Sequence, residues 1–284
     1  MLVTALLLLL TWADADAGRW QGNRADSVFV TKILTEAGRE KAIGNVQLYF
    51  ARKFLGRPYV AHTLEVGDDR TLVVNTRQLD CTTLVENVTA LTLCFNEKRL
   101  TFGDYLAKLE QLRYRNGTAN GYVSRIHYFT DWIESNAKRG LVSEVQGSNP
   151  PFSAVQTVKV NYMSTHPNAY KALREHPEYV EPIRKTERAI TGKTYRYIPK
   201  GSILNTKLLR QTVHDGDIIA ITTGKSGLDI AHLGFAVWRS DGLHLLNASM
   251  IHGKVVDEPM TLRQYLMRHK SRTGIRLVRI KAKK

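Results

Sequence analysis

Gln78-Leu79-Asp80-Cys81-Thr82-Thr83-Leu84-Val85-Glu86-Asn87 reads as a loop that turns into a helix with a cysteine in its first turn. Asp80 is a good N-cap, because its carboxylate accepts hydrogen bonds from the free backbone N–H groups at a helix start. Beyond it Leu84, Val85, Val88, Leu91, Thr92 and Phe95 recur at three- and four-residue spacing, the apolar stripe of a helix packed into a core. Cys81 then lies where the N–H dipoles of the helix converge. A thiolate is stabilised there, so the position predicts a lowered thiol pKa. Two readings compete for Cys81: a small core residue, since free cysteines are among the most buried side chains, or a nucleophile.

The second cysteine, Cys94, is 13 residues further along the same expected helix. That spacing is roughly 20 Å, whereas bridged Cα atoms lie within about 7 Å. Both thiols are therefore expected free, with Cys94 a packing residue. Leu2 to Trp12 is almost entirely apolar and runs into Ala13-Asp14-Ala15-Asp16-Ala17, an A-x-A secretory pattern. Residues 1–17 are read as a signal peptide, although the basic n-region is missing; a retained membrane anchor is the alternative. Export places Cys81 in an oxidising compartment, where a free thiol is a liability and a chemical use is favoured. No later stretch approaches the ~20 apolar residues of a membrane span, so none is expected once the signal is removed.

The 284 residues are 43% hydrophobic and 8% aromatic, enough for a real core. Residues 18–284 are read as a single domain, with helical insertions over about 100–200. The formal net charge of +15 draws the chain to anionic polymers. An exported protein meets envelope polyanions before nucleic acid, and the basic residues are scattered except in Arg276-Leu277-Val278-Arg279-Ile280-Lys281-Ala282-Lys283-Lys284, which reads as a last strand and tail. Nucleic acid is not an expected partner. The nine histidines show no ligand spacing, so no metal and no cofactor are expected. Gly224-Lys225-Ser226 lacks the earlier glycine of a phosphate loop, since Ile219 stands in its place.

In chain order, residues 26–55 read as two helices ended by Gly56 and Pro58. Leu72 to Asn75 reads as a short strand before the Cys81 helix. Residues 102–140 read as helical. Within them Gly121 to Ile133 is either an ordinary helix with Tyr128, Phe129 and Trp132 in the core, or a substrate-binding stretch using Arg125, His127 or Tyr128. Residues 155–163 read as a strand, followed by helix broken at Pro177 and Pro182. Ile218–Thr223, Ile230–Trp238 and Leu243–Ser249 are apolar runs separated by turn residues, so antiparallel hairpins are predicted. A short helix from Leu262 to Met267 and a strand from Gly274 to Ile280 close the chain. Helices first and antiparallel strands later define an α+β fold.

A thiolate nucleophile needs a base, an orienting partner for the base, and N–H donors for the acyl oxygen. His232 lies mid-strand, and Gly234 is expected to leave room beside its imidazole. Asn247 lies on the next strand, where its carboxamide oxygen is expected to accept the Nδ1–H of His232. The order Cys81, His232, Asn247 on helix, strand and strand is that of papain-like folds.

The sequence resembles the NlpC-like papain-fold cell-wall hydrolases. Their motifs are matched by Pro58-Tyr59, Asp80-Cys81, Gly216-Asp217, His232-Leu233-Gly234 and Asn247-Ala248-Ser249. Within that group it is most similar to a Gram-negative family of N-acetylmuramoyl-L-alanine amidases. The similarity extends to Ser124-Arg125-Ile126-His127-Tyr128-Phe129, to Met163-Ser164-Thr165-His166-Pro167 and to Gly227-Leu228-Asp229-Ile230-Ala231-His232. It implies a catalytic helix packed on an antiparallel sheet, and a periplasmic or envelope location. It also implies a peptidoglycan or muropeptide substrate, cleaved between N-acetylmuramic acid and L-Ala through a Cys81 acyl-enzyme with His232 as base. Tyr59, Arg125, His127, Tyr128, His166 and Asp229 become candidate substrate-binding residues. The third polar residue of the group is often histidine, and His244 stands near Asn247. Residues three apart on a strand face opposite sides, so only one can face His232; Asn247 is favoured because it precedes Ala-Ser. The alternatives are an endopeptidase of the same fold acting within the stem peptide, and a non-catalytic envelope-binding protein.

Overall fold

The computed structural model describes residues 20–66 and 70–281; the expected signal segment, 1–17, lies outside them. In chain order the elements are β1 (Trp20–Gln21), α1 (Arg24–Arg39), α2 (Val46–Arg52), β2 (Leu72–Val73), α3 (Cys81–Asn96), α4 (Phe102–Arg113) and α5 (Phe129–Lys138). There follow β3 (Val142–Val145), β4 (Ala154–Thr157), α6 (Tyr162–Thr165), α7 (Lys171–Glu175), α8 (Val180–Ile190), β5 (Thr194–Pro199) and α9 (Lys207–Thr212). The chain ends with β6 (Ile218–Thr223), β7 (Ile230–Trp238), β8 (Leu243–Ser249), β9 (Lys254–Asp257), α10 (Leu262–Met267) and β10 (Arg272–Ile280).

The principal sheet is antiparallel throughout, in the order β4-β5-β10-β6-β7-β8-β9. One side of β10 carries β6 along its length. The other carries β5 beside Gly274 and Ile275 and β3 beside Leu277 to Ile280. Gly274 is required at that junction, because a Cβ there would lie 2.2 Å from the carbonyl oxygen of Ile198. The strands alternate between two cores, as the period of two demands. Ile218, Ala220, Leu233, Phe235, Leu246 and Val278 face the core shared with α3. Ile219, Ile221, Ala236, Leu245, Ile275 and Leu277 face a second core under α10. Each such large side chain contributes about 1.5–3 kcal/mol on full burial.

The α3 helix is more deeply placed than an amphipathic stripe implies. Thr83 through Cys94 are all buried, with α2 and α4 on one side and β7 on the other. Its charged and amide side chains, Glu86 and Asn87, find partners, whereas the buried hydroxyls of Thr89 and Thr92 have none among the described residues. Glu86 accepts from Arg113 Nε at 2.7 Å, Asn87 donates to the Thr83 carbonyl, and Tyr105 donates its hydroxyl to Asn87. Cys81 and Cys94 are both free, and Cys94 is fully buried, as their positions on one helix predict.

Several expectations for the middle of the chain are corrected. Residues 121–133 are not one helix: a 3-10 turn at Tyr122–Ser124 leads through an irregular segment into α5. The strand expected over 155–163 ends at Thr157, and Val158 and Val160 instead fill a third core beneath α6 to α8. Pro182 does not break a helix; it occupies the first turn of α8, where its missing N–H costs nothing. The range expected as helical insertions also supplies β3, β4 and β5 to the sheet. No helix among the described residues is long and apolar enough to cross a membrane.

Candidate active site

Asp80 caps α3 as its position predicts. Its Oδ1 accepts from the backbone N–H of Thr83 at 2.7 Å, and the Thr83 hydroxyl accepts from the Asp80 N–H at 2.9 Å. This reciprocal box fixes the entry angle of the chain and so the direction of Cys81. Cys81 opens onto a cavity of about 190 Å³ between α3, the segment before α5 and the start of β7. His232 and Leu233 line the same cavity.

His232 reaches it through an irregularity. Ile221 of β6 pairs with His232 but Thr222 pairs with Ile230, so Ala231 is an extra residue in β7. Such a bulge re-aims the side chain beside it. Nε2 of His232 lies 2.9 Å from Oδ1 of Asn247 on β8. Asn247 is fully buried, and its Nδ2 donates to Oε1 of Glu258 at 3.3 Å. An ionised carboxylate can only accept, so the amide nitrogen belongs on the Glu258 side and the amide oxygen on the His232 side. His232 must then donate from Nε2, which leaves Nδ1 as the basic nitrogen. The expectation that Asn247 holds Nδ1–H is corrected accordingly. His244 faces away: its ring nitrogens meet the Glu258 carbonyl and Asp241 Oδ1, both at 2.9 Å.

Gly234 has a different purpose from the one expected. A Cβ there would lie 2.7 Å from the Leu246 carbonyl oxygen and 2.7 Å from Leu245 Cδ1. Its absence lets β7 approach β8 closely, two residues along the strand from His232 and its contact with Asn247.

The thiol pKa runs against the local prediction. Burial pushes Cys81 up to about 12, and the Asp80 carboxylate beside it adds to the rise. The backbone N–H of Leu233, the Thr82 side chain and the Cys81 N–H act in the opposite direction without reversing it. The dipole of the helix start is real, but desolvation by burial outweighs it. Burial also holds His232 below its ordinary 6.5; Arg272 lowers it further, while the hydrogen bond to Asn247 opposes both.

The other candidates are only partly assembled. His127 and Tyr128 line the cavity with Asp229. The Tyr128 hydroxyl donates to Glu187 Oε1 at 2.6 Å, and His127 Nε2 lies 3.0 Å from the Tyr122 carbonyl. Burial, with Arg125 and Arg115 nearby, keeps His127 well below 6.5. Asp229 is buried, and its Oδ2 accepts from the Thr130 N–H at 2.7 Å. It caps α5, whose own N-cap residue, Tyr128, makes no side-chain capping bond. Arg125 is buried and borders an adjoining cavity of about 210 Å³, which shares Thr82, Ile126, His127 and Tyr170 with the first. Tyr59 is held on its backbone by Leu79 and Gly253. Burial raises its hydroxyl to about 12, with Cys81 and Asp80 contributing. His166 is not brought to the site: it is exposed, stacked on Tyr162 at 4.3 Å, and lines neither cavity.

The sequence reading missed Met163 and Tyr170 as cavity walls and Glu258 behind Asn247. Among these only Met163 carried a signal, its place in the Met163-Ser164-Thr165-His166-Pro167 motif.

Comparison with known proteins first defines the class. A Legionella pneumophila crystal structure that is 22% identical superposes with a TM-score of 0.68, over 90% of this chain and 94% of its own, and so shares the α+β fold. Closer similarity is found to the crystal structure of an N-acetylmuramoyl-L-alanine amidase from Bacteroides uniformis: 39% identity, TM-score 0.77, 83% of this chain and 98% of that one. A Bacteroides fragilis structure described as a xylanase candidate is 41% identical, with a TM-score of 0.76 over 82% of this chain and 100% of its own. No curated protein sequence matches. Residues 49–275 match the model of the N-acetylmuramoyl-L-alanine amidase-like family, and the chain belongs to that family.

Proposed function

We propose that the protein is an exported cysteine amidase with an NlpC-like, papain-type site, which hydrolyses the amide between N-acetylmuramic acid and L-Ala in peptidoglycan or its fragments. The observation that carries this reading is the His232–Asn247 pairing on the cavity that also holds Cys81. The family assignment supports the bond, and the apolar run with Ala13-Asp14-Ala15-Asp16-Ala17 supports periplasmic export.

Because the thiol is held high, its proton leaves for Nδ1 of His232 as Sγ attacks the lactyl carbonyl, not before. The carbonyl oxygen becomes an oxyanion, for which the N–H groups of Cys81 and Leu233 and the Thr82 side chain, all beside the sulfur, are candidate donors. Collapse breaks the C–N bond. The imidazolium gives its proton to the leaving amine of L-Ala, and a muramoyl thioester remains on Cys81. Water then attacks the thioester, His232 takes the water proton and returns it to Sγ, and the muramic acid carboxylate departs. Asn247 holds the ring through both steps. Arg125 borders the adjoining cavity and offers a cation to stem-peptide carboxylates.

Product analysis by mass spectrometry in ¹⁸O-labelled water tests the bond. The expected result is a free stem peptide starting at L-Ala, with label in the muramic acid carboxylate. Label in a stem-peptide carboxylate would identify an endopeptidase instead. Binding without cleavage would identify an envelope-binding protein.

A further inference from the structure

Behind Asn247 lies a carboxylate that the mechanism above does not use. Glu258 is 1% exposed. Its Oε1 accepts from Asn247 Nδ2 at 3.3 Å, and its Oε2 lies 3.2 Å from Nε2 of His252. Its backbone is fixed on both sides: its N–H donates to the Leu245 carbonyl at 2.9 Å, and its carbonyl meets His244 Nδ1 at 2.9 Å. His252, in the turn between β8 and β9, is about one-third exposed. A continuous polar row thus runs from the catalytic cavity to the surface: His232, Asn247, Glu258, His252.

A carboxamide can rotate by half a turn and exchange its oxygen for its nitrogen at almost no cost in shape. Only its neighbours decide which end faces His232. On the His232 side either orientation can be satisfied by changing the ring tautomer. On the Glu258 side only the NH₂ end can be satisfied, since a carboxylate has no proton to give. A reversed amide would also place two buried acceptors against each other, which is costly in a low-dielectric interior. Glu258 is therefore the group that breaks the symmetry.

We propose that Glu258 is a positioning residue that locks the Asn247 carboxamide, and through it holds His232 as the Nε2–H tautomer with a free Nδ1 toward Cys81, and that His252 holds its other carboxylate oxygen at the surface. This rests on the Cys81–His232–Asn247 reading of the site. Without Glu258 the amide is free to turn. His232 then carries its proton on Nδ1 for part of the time and is no base for Cys81 in that form. His232 is also faced by Asp80 and Cys81 from α3, by Arg272 at the start of β10 and by Tyr265 of α10, whose ring centroid is 6.2 Å away. None of these touches Asn247 through a hydrogen bond, so they set charge at the ring but not the amide's direction.

The test is ¹⁵N NMR of the His232 ring in the full chain, with no substrate, for the wild type, Glu258→Leu and Glu258→Gln. The wild type is expected as the Nε2–H tautomer, and Glu258→Leu as a mixture of both. Glu258→Gln loses the charge and brings an amide that can either accept from Asn247 or donate to it. It is expected to hold the Nε2–H tautomer less completely than the wild type and to titrate His232 at lower pH, because the Glu258 charge favours the imidazolium. In turnover, Glu258→Leu is expected to lose roughly ten- to a hundredfold in kcat with little change in KM, with a smaller loss in Glu258→Gln. A wild-type Nδ1–H tautomer would overturn the proposal. So would an unchanged tautomer in Glu258→Leu, or, if that variant does not fold, an unchanged His232 titration in Glu258→Gln. A chain with the expected tautomers but no amidase turnover would leave this positioning intact and refute the proposed function.

Discussion

Nε2 of His232 and Oδ1 of Asn247 stand 2.9 Å apart across neighbouring strands, beside the bulge at Ala231 and the close strand approach that Gly234 allows. The imidazole is thereby turned with its other nitrogen free. Asn247→Ala removes the acceptor and leaves Glu258 Oε1 without a donor. A loss of about 1–3 kcal/mol in stability is expected from that orphaned group, together with a ten- to hundredfold loss in kcat/KM. Denaturant titration and steady-state kinetics on one preparation separate the two effects. Unchanged kinetics in a destabilised variant would reduce Asn247 to a packing residue.

The thiol offers a second test. With Cys81 near 12, the free enzyme carries almost no thiolate at neutral pH. Alkylation by iodoacetamide, followed by intact mass, is expected to accelerate about tenfold per pH unit up to at least pH 9. A plateau beginning near neutral pH would show a preformed thiolate and an ion-pair mechanism.

His127 and His232 are both held below 6.5 in the native state by burial. The unfolded chain therefore takes up these protons first as pH falls. Their contribution to stability is complete above the unfolded value of 6.5 and declines as pH drops from there through the native pKa values. Unfolding free energies across that interval are expected to fall with pH, and His127→Asn is expected to flatten the slope. An unaltered slope would mean that His127 titrates normally.

Asp229 was expected from sequence to meet substrate, and its carboxylate is found capping α5. Asp229→Ala is expected to cost about 1 kcal/mol, a fall of a few degrees in Tm, while Asp229→Asn recovers most of it. A change in KM with no change in Tm would reverse that assignment.

How much was legible depends on whether the deciding force was local. Ile218–Thr223, Ile230–Trp238 and Leu243–Ser249 were read to the residue, because apolar runs there are punctuated by Gly and Asp turns. The Asp80 cap was legible for the same reason. Thr194 to Pro199 was not read as a strand, since its side chains alternate between exposed and half-buried on the side of β10 away from β6, and only Ile198 is fully buried. The sign of the Cys81 shift was also out of reach. The helix dipole is written in four neighbouring residues, but the desolvation that defeats it comes from burial in the folded chain. Asn247 was found through its motif, whereas Glu258 follows it with no motif of its own and is recognised only by what it touches.

The central claim is that Cys81 is the nucleophile of an N-acetylmuramoyl-L-alanine amidase. The most direct measurement is mass spectrometry of one defined muropeptide after incubation with the wild type and with Cys81→Ser. Release of stem peptide beginning at L-Ala is expected with the wild type, and at least a thousandfold slower release with the folded variant. Equal release by both proteins would contradict the claim.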